Sequence, residues 1–236
     1  MTAKHEAALT TAMVALTVTT GMVEAVSFLT LGPVFTAVQT GNTLFLGFAV
    51  AGAGGFSAVA STASLVGFAA GALLGARLES GIDVRGRQWF VVALVAESVL
   101  LGIAGLVSWE IERLDEPLSS RHYAVAALVA LAMGMRSVTT LRASVADLPT
   151  TRVTRAMTAL FGASPLGLDT KIPSGAGAEL RRAASVGAMF AGGLLGAWML
   201  HEAVRPPVVL LVTAACVMAI ALGFGFVPRR RAPQPG

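Results

Sequence analysis

The sequence predicts an all-α, polytopic membrane protein with six crossing helices and two re-entrant or broken segments. Three observations carry that prediction. The 236-residue chain is 55% hydrophobic and only 13% charged, with a mean hydropathy of +0.76. A soluble domain carries about 25% charged residues, so this chain has too little polar surface to cover a globule in water. The charges are also clustered: between Ala7 and Ala76 the only charged residue is Glu24. Finally, the uncharged runs are long enough for crossings, each of which takes roughly 20 apolar residues.

Residues 8–31 form the first expected crossing. A cleaved leader is the competing reading of this start, but the apolar run outlasts a leader core and meets Glu24 where a cleavage site would be sought. The other crossings fall at residues 57–76, 89–107, 123–141, 183–200 and 207–227. The two broken segments are residues 34–53 and 150–165. The first has the length to span, which would add crossings. The loop charges favour its return to the side it entered. Lys4, Arg77, Arg85, Arg87, Arg142, Arg152, Arg155, Lys171, Arg181, Arg182 and Arg229 to Arg231 then all lie on one side, and the acidic stretch "WEIERLDEPLSSRH" lies on the other. Basic loops face the cytoplasm, so both ends are expected there.

This positive balance, +4 overall, is loop charge rather than a nucleic-acid footprint, because no basic stretch is interleaved with aromatics. One cysteine, Cys216, excludes an intrachain disulfide, and three scattered histidines have no metal-ligand spacing. Neither a metal nor another cofactor is expected. No nucleotide loop, nucleophile elbow or metalloprotease motif is present, so no enzyme is expected either.

The two halves echo one another. "GMVEAVSF" at Gly21, "TAVQT" at Thr36 and "AGALLGA" at Ala70 are followed in the same order by "GMRSVTTL" at Gly134, "TTRVT" at Thr150 and "AGGLLGA" at Ala191. A duplication would make residues 1–236 one membrane domain of two halves, 8–108 and 122–227, with a disordered cytoplasmic tail at 228–236. Three crossings per half insert the halves in opposite senses, a 3+3 inverted repeat, and broken helices of such repeats line the substrate site of many secondary transporters.

The polar cluster in "VFTAVQTGNTLFLG" fits that plan. Gly41 permits a break, and Thr40 or Asn42 can cap the helix that follows. Gln39 adds a further hydrogen-bonding group. Lining a site and gluing helices together are the two readings of these residues. Glu24 is a carboxylate inside a crossing, where such residues face a cavity or a partner. Arg136 lies at the matching place in the second half, so a Glu24–Arg136 pair is expected if Arg136 does not reach out to the cytoplasmic surface. Glu97 is a second intramembrane carboxylate, expected to serve helix packing. Gly67, Gly71 and Gly75 are spaced to pack helices closely, with a homodimer face as the alternative.

Taken together, "GMVEAVSFLTLGPVFTAVQTGNTLFLG", "GFAAGALLGARL" and "ALAMGMRSVTTLRASVADLPTTRVTRAMTAL" resemble the YoaK family of bacterial integral membrane proteins. The most specific elements are Glu24 followed by Thr40-Gly41-Asn42, and Thr150, Thr151 and Thr154 in the later half. There the chain departs from the pattern, with Arg155 in place of a glycine. The resemblance implies a bacterial cytoplasmic (inner) membrane location and a fold, but no activity. The function expected is a small secondary transporter or carrier of a small polar solute. A membrane scaffold or stress-related protein is the alternative. The candidate site residues are Glu24, Gln39, Thr40, Gly41, Asn42, Arg136, Thr150, Thr151 and Thr154. The expected partners are the lipid bilayer and that solute.

Overall fold

The computed structural model describes residues 3–83, 89–111, 118–143, 153–163 and 175–226. Among them are eight α-helices and no strand. Six helices are long and apolar enough to cross a membrane: α1 (Ala3–Thr30), α3 (Ala58–Asp83), α4 (Trp89–Val107, extended by a 3-10 turn to Glu110), α5 (Ser120–Ala143), α7 (Ala176–His201) and α8 (Pro206–Gly225). The chain is a multi-pass membrane protein. Two short helices complete it, α2 (Gln39–Val50) and α6 (Val153–Gly162). The 12 residues of α2 reach only about 18 Å at 1.5 Å per residue, well under the roughly 30 Å of a bilayer core. The additional full crossing is therefore absent, and the first broken segment is a half-helix preceded by irregular backbone. The tail at 228–236 lies outside the described residues.

Local chemistry sets the breaks. α1 stops at Thr30 because Gly32 takes φ +98° and Pro33 follows, so neither continues a helix. After α2, Gly52 (φ +80°) and Gly55 (φ +86°) turn the chain back. Ser57 then accepts the N–H of Ala60 at 3.2 Å and caps the start of α3. Pro206 and Pro207 occupy the first positions of α8, where no N–H is missed.

Helices pack in a repeating scheme. α1 lies against α7, α3 against α5, and α4 against α8; α4 also touches α5 as α1 touches α8, and α2 rests on α3 as α6 rests on α7. Small residues bring the backbones together. A Cβ on Gly71 would lie 1.9 Å from the Leu131 carbonyl oxygen, and one on Gly67 2.4 Å from that of Ala127. On the other pair, a Cβ on Gly192 would come within 2.0 Å of the Val18 carbonyl oxygen. Lipid tails are as apolar as leucine, so close van der Waals approach rather than exclusion of water holds these pairs. The small-residue faces expected to pack helices thus meet helices of the same chain. Leu73, Phe190, Leu194, Trp198 and Leu222 are exposed on the outside of the bundle, where lipid would lie.

Two charged side chains sit inside helices that are longer than the crossings expected from hydropathy, α3 running past residue 76 and α7 starting before residue 183. Arg182, expected in a cytoplasmic loop, is buried in α7 and donates to the Ala159 carbonyl of α6 at 3.3 Å. Glu79, in α3, is also fully buried.

Candidate functional site

Residues 31–38 connect α1 to α2 and lie against Glu24, which precedes the end of α1 by six residues, about 9 Å along the axis. The chain therefore dips nearly two turns into the bundle before α2 carries it out again. Irregular backbone at that depth must find internal hydrogen bonds. Side chains supply them. Asn42 Oδ1 accepts the Phe35 N–H at 2.9 Å, and Asn42 Nδ2 donates to the Phe35 carbonyl at 2.5 Å. Ser64 on α3 donates to the same carbonyl at 2.6 Å, and Ser27 donates to that of Val34 at 2.6 Å. Gln39 Nε2 donates to the Thr36 carbonyl at 2.8 Å. Asn42 and Gln39 are joined at 2.7 Å.

Of the two readings of this polar cluster, binding the fold together holds for Gln39 and Asn42. The capping expectation is corrected. Val38 is the N-cap of α2 and makes no side-chain cap bond, Thr40 is exposed, and Gly41 is the third helical residue. Gly41 is needed for space instead, since a Cβ there would meet the Phe35 ring at 2.6 Å.

Glu24 closes the loop from the other side. Its Oε1 accepts the Thr36 N–H at 3.0 Å, the Thr36 hydroxyl at 3.1 Å and the Ala37 N–H at 2.5 Å. Its Oε2 accepts the Thr36 N–H at 3.4 Å, and the Val38 backbone N–H also hydrogen-bonds the carboxylate. A carboxylate at the head of α2 also meets the positive end of the helix dipole.

Arg136 does not pair with Glu24, and it does not reach the surface. It is fully buried and pairs through Nη2 with Glu97 Oε1 on α4. Its Nη1 donates to the Leu16 carbonyl at 3.0 Å and to Thr20 Oγ1 at 2.8 Å, both on α1. The halves do align Arg136 near Glu24 in sequence, but the side chain leaves α5 toward α4 and α1. The result is a polar knot tying three helices. A second knot joins the ends of α3 and α5: Thr139 donates to Glu79 at 2.5 Å, while Arg142 reaches Glu79 at 3.5 Å and Asp83 at 2.8 Å and lies over the Trp89 ring.

Glu24 has a further face. With 8% of its surface exposed, it lines a cavity of about 430 Å³ bounded by α1, α7, the loop into α2 and the start of α6. Val153 and Thr154, the first two residues of α6, stand in its wall, as do Phe28, Phe35 and Gly193. The structure thus brings Glu24 of the first half together with Thr154 of the second. Gln39, Thr40, Gly41, Asn42 and Arg136 are not among the lining residues. Thr150 and Thr151 lie outside the described residues. Most of the wall is apolar, with Glu24 its one titratable side chain among the described residues.

Sequence reasoning missed Ser64, Ser27 and Glu79. For Ser64 a signal existed: it stands with Ser61 and Gly67 at helical spacing on one face of an otherwise apolar crossing.

Residues 12–223, nearly the whole chain, match the family described as "Protein of unknown function (DUF1275)". No curated protein and no solved structure matches the chain.

Proposed function

The chain belongs to the DUF1275 family, and we propose that it is a small secondary carrier, non-enzymatic, that moves a small solute through the Glu24 cavity. One observation carries the reading: a cavity of about 430 Å³ at which a crossing-helix carboxylate, a re-entrant loop and the head of a second half-helix meet. Pockets of roughly 300–1,000 Å³ suit small-molecule ligands. The packing scheme supports a 3+3 inverted repeat, since exchanging α1–α4 with α5–α8 converts each helix pair into another that is also in contact. In this reading α2 and α6 enter from opposite faces. The YoaK resemblance, carried by Glu24 and Thr40-Gly41-Asn42, belongs to the same reading, as does a bacterial inner-membrane location. A homodimer would use faces other than Gly67, Gly71 and Gly75, which are taken up within the chain.

With the basic loops inside, both ends of the chain are cytoplasmic. Reporter fusions after Glu116 and after Gly236 are expected to report external and cytoplasmic positions respectively. A cytoplasmic signal at Glu116 would contradict this orientation.

The carrier reading is tested by uptake into vesicles holding the purified protein, over a metabolite panel. Wild type is expected to accumulate at least one solute in a pH-dependent manner. Glu24→Gln retains an Oε1 that can accept the loop N–H groups, so it is expected to fold and insert, but it cannot exchange a proton. Its uptake is expected to lose the pH dependence, because no other titratable side chain lines the cavity among the described residues. An unchanged pH profile would refute the coupling role. A membrane scaffold is the second reading, favoured by the buried Arg136–Glu97 knot and the glycine contacts at the centre. It predicts no uptake of any solute.

A further inference from the structure

The carrier reading leaves open what the cavity accepts, and its walls narrow the choice. Building on that reading, we infer that the site recognises a small molecule carrying an ammonium group on an apolar or aromatic body. Three features of one cavity converge on this chemistry. The carboxyl group of Glu24 is more than nine-tenths buried, and its two oxygens are unequally used. Oε1 takes three hydrogen bonds between 2.5 and 3.1 Å, whereas Oε2 takes the Thr36 N–H only at 3.4 Å, so the more loosely held oxygen of a group that lines the cavity can still accept a strong donor. An ammonium N–H donor satisfies that oxygen with a charge-assisted bond, stronger than one from a neutral donor.

Phe28 and Phe35 stand in the same wall; Phe35 is stacked on both Phe28 and Phe45, at 5.1 and 5.7 Å between centroids, so the aromatic surface offered to a ligand is that of the exposed Phe28. A cation within about 6 Å of such a ring face is attracted to it, most strongly where water is excluded. Apart from Thr154, the remaining wall, including Val38, Met189 and Ala197, offers apolar surface without a hydrogen-bonding side chain. It therefore rewards an apolar body and penalises a polyhydroxylated one. An anion would have to lie beside Glu24. The head of α6, at Val153 and Thr154, also borders the cavity and adds backbone N–H groups there. These can accommodate the carboxylate of a zwitterion, so amines and amino-acid-like zwitterions share the recognised chemistry.

The test is binding rather than flux. Phenethylamine, phenylalanine, 2-phenylethanol and phenylacetate share a body and differ in charge. Each is titrated calorimetrically into the full-length protein in lipid nanodiscs. The ammonium-bearing compounds are expected to bind at least tenfold more tightly than the alcohol and the phenylacetate. Preference between phenethylamine and phenylalanine separates a cation site from a zwitterion site. Glu24→Gln is expected to remove that tenfold advantage. Gly193→Leu is expected to abolish binding of all four, because a Cβ at Gly193 has open space and a longer side chain there fills the cavity. The wild-type series decides the matter even where a variant fails to fold. Equal binding of the alcohol and the amines, or tighter binding of phenylacetate, would overturn the inference and mark the cavity as a lipid-facing groove or an anion site. Ammonium binding without flux in vesicles would sink the carrier reading and leave this inference standing. Flux of an anionic or neutral solute without ammonium binding would do the reverse.

Discussion

Arg136→Met is expected to destabilise the protein by about 3–5 kcal/mol, the cost of leaving one member of a buried ion pair alone. Arg136 is fully buried and Glu97 is 1% exposed, so water cannot take over for the missing partner. The same substitution removes the donors to the Leu16 carbonyl and to Thr20, which releases α1 from α5. Packing alone does not explain a loss of that size, because methionine keeps much of the volume. The double variant Arg136→Met/Glu97→Leu separates charge from shape. Replacing both members of a buried pair by apolar groups is often nearly neutral, so the double variant is expected to recover most of the loss. Equilibrium unfolding of the reconstituted single and double variants measures both quantities. Equal losses in the two would mean that the pair holds α1, α4 and α5 by its hydrogen bonds to α1 rather than by charge.

Gly71→Ala is expected to be nearly as severe, although it adds a single methyl group. The new Cβ would lie 1.9 Å from the Leu131 carbonyl oxygen, and backbone cannot swing aside as a side chain can. α3 and α5 would have to part by more than an ångström, and Gly67 and Gly134 on the same seam would lose their contacts with them. Overpacking costs about 1–3 kcal/mol where side chains can adjust, and this site falls at the upper end of that range or beyond it. Gly47→Ala is the control, since nothing stands within 4 Å of its Cβ position and alanine favours a helix by about 1 kcal/mol over glycine. Thermal unfolding of the two variants in one detergent should show a large fall for Gly71→Ala and none for Gly47→Ala.

The six crossings were legible because hydropathy and length respond to the bilayer alone. The first broken segment was legible because the polar residues 39–43 interrupt an apolar run and the loop charges favour its return, although the irregular backbone falls at residues 31–38 and not at Gly41. The partners were not. Asn42 bonds Phe35, seven residues back across the loop, and Ser64, 22 residues ahead on another helix. Capping rules look only within the first turn, so they assigned Asn42 the wrong task. Arg136 shows the same limit in another form. Aligning the halves gives its depth but not the direction its side chain takes, and in a helix apolar on every side the sequence carries little directional signal. Glu79 and Arg182 were hidden because one crossing was ended before Arg77 and another begun after Arg182, whereas the helices extend past both limits and bury those charges against α5 and α6. The cavity joining Glu24 to Thr154 was anticipated only as a meeting of the two halves. Its apolar walls come from α1, the loop into α2 and α7, and nothing in the sequence says that Phe28, Phe35 and Met189 share a wall.

Solvent access to the cavity distinguishes a carrier from a permanently packed bundle. Gly193→Cys, with Cys216 replaced by serine, places a thiol in the cavity wall where a Cβ meets no neighbour. Membrane-impermeant thiol reagents are then applied separately to each face of vesicles with fixed protein orientation. A carrier must open its site to each side in turn, so labelling from both faces is expected. Labelling from neither face would contradict the carrier reading and leave the cavity as a groove filled by lipid; labelling from one face alone would contradict alternating access.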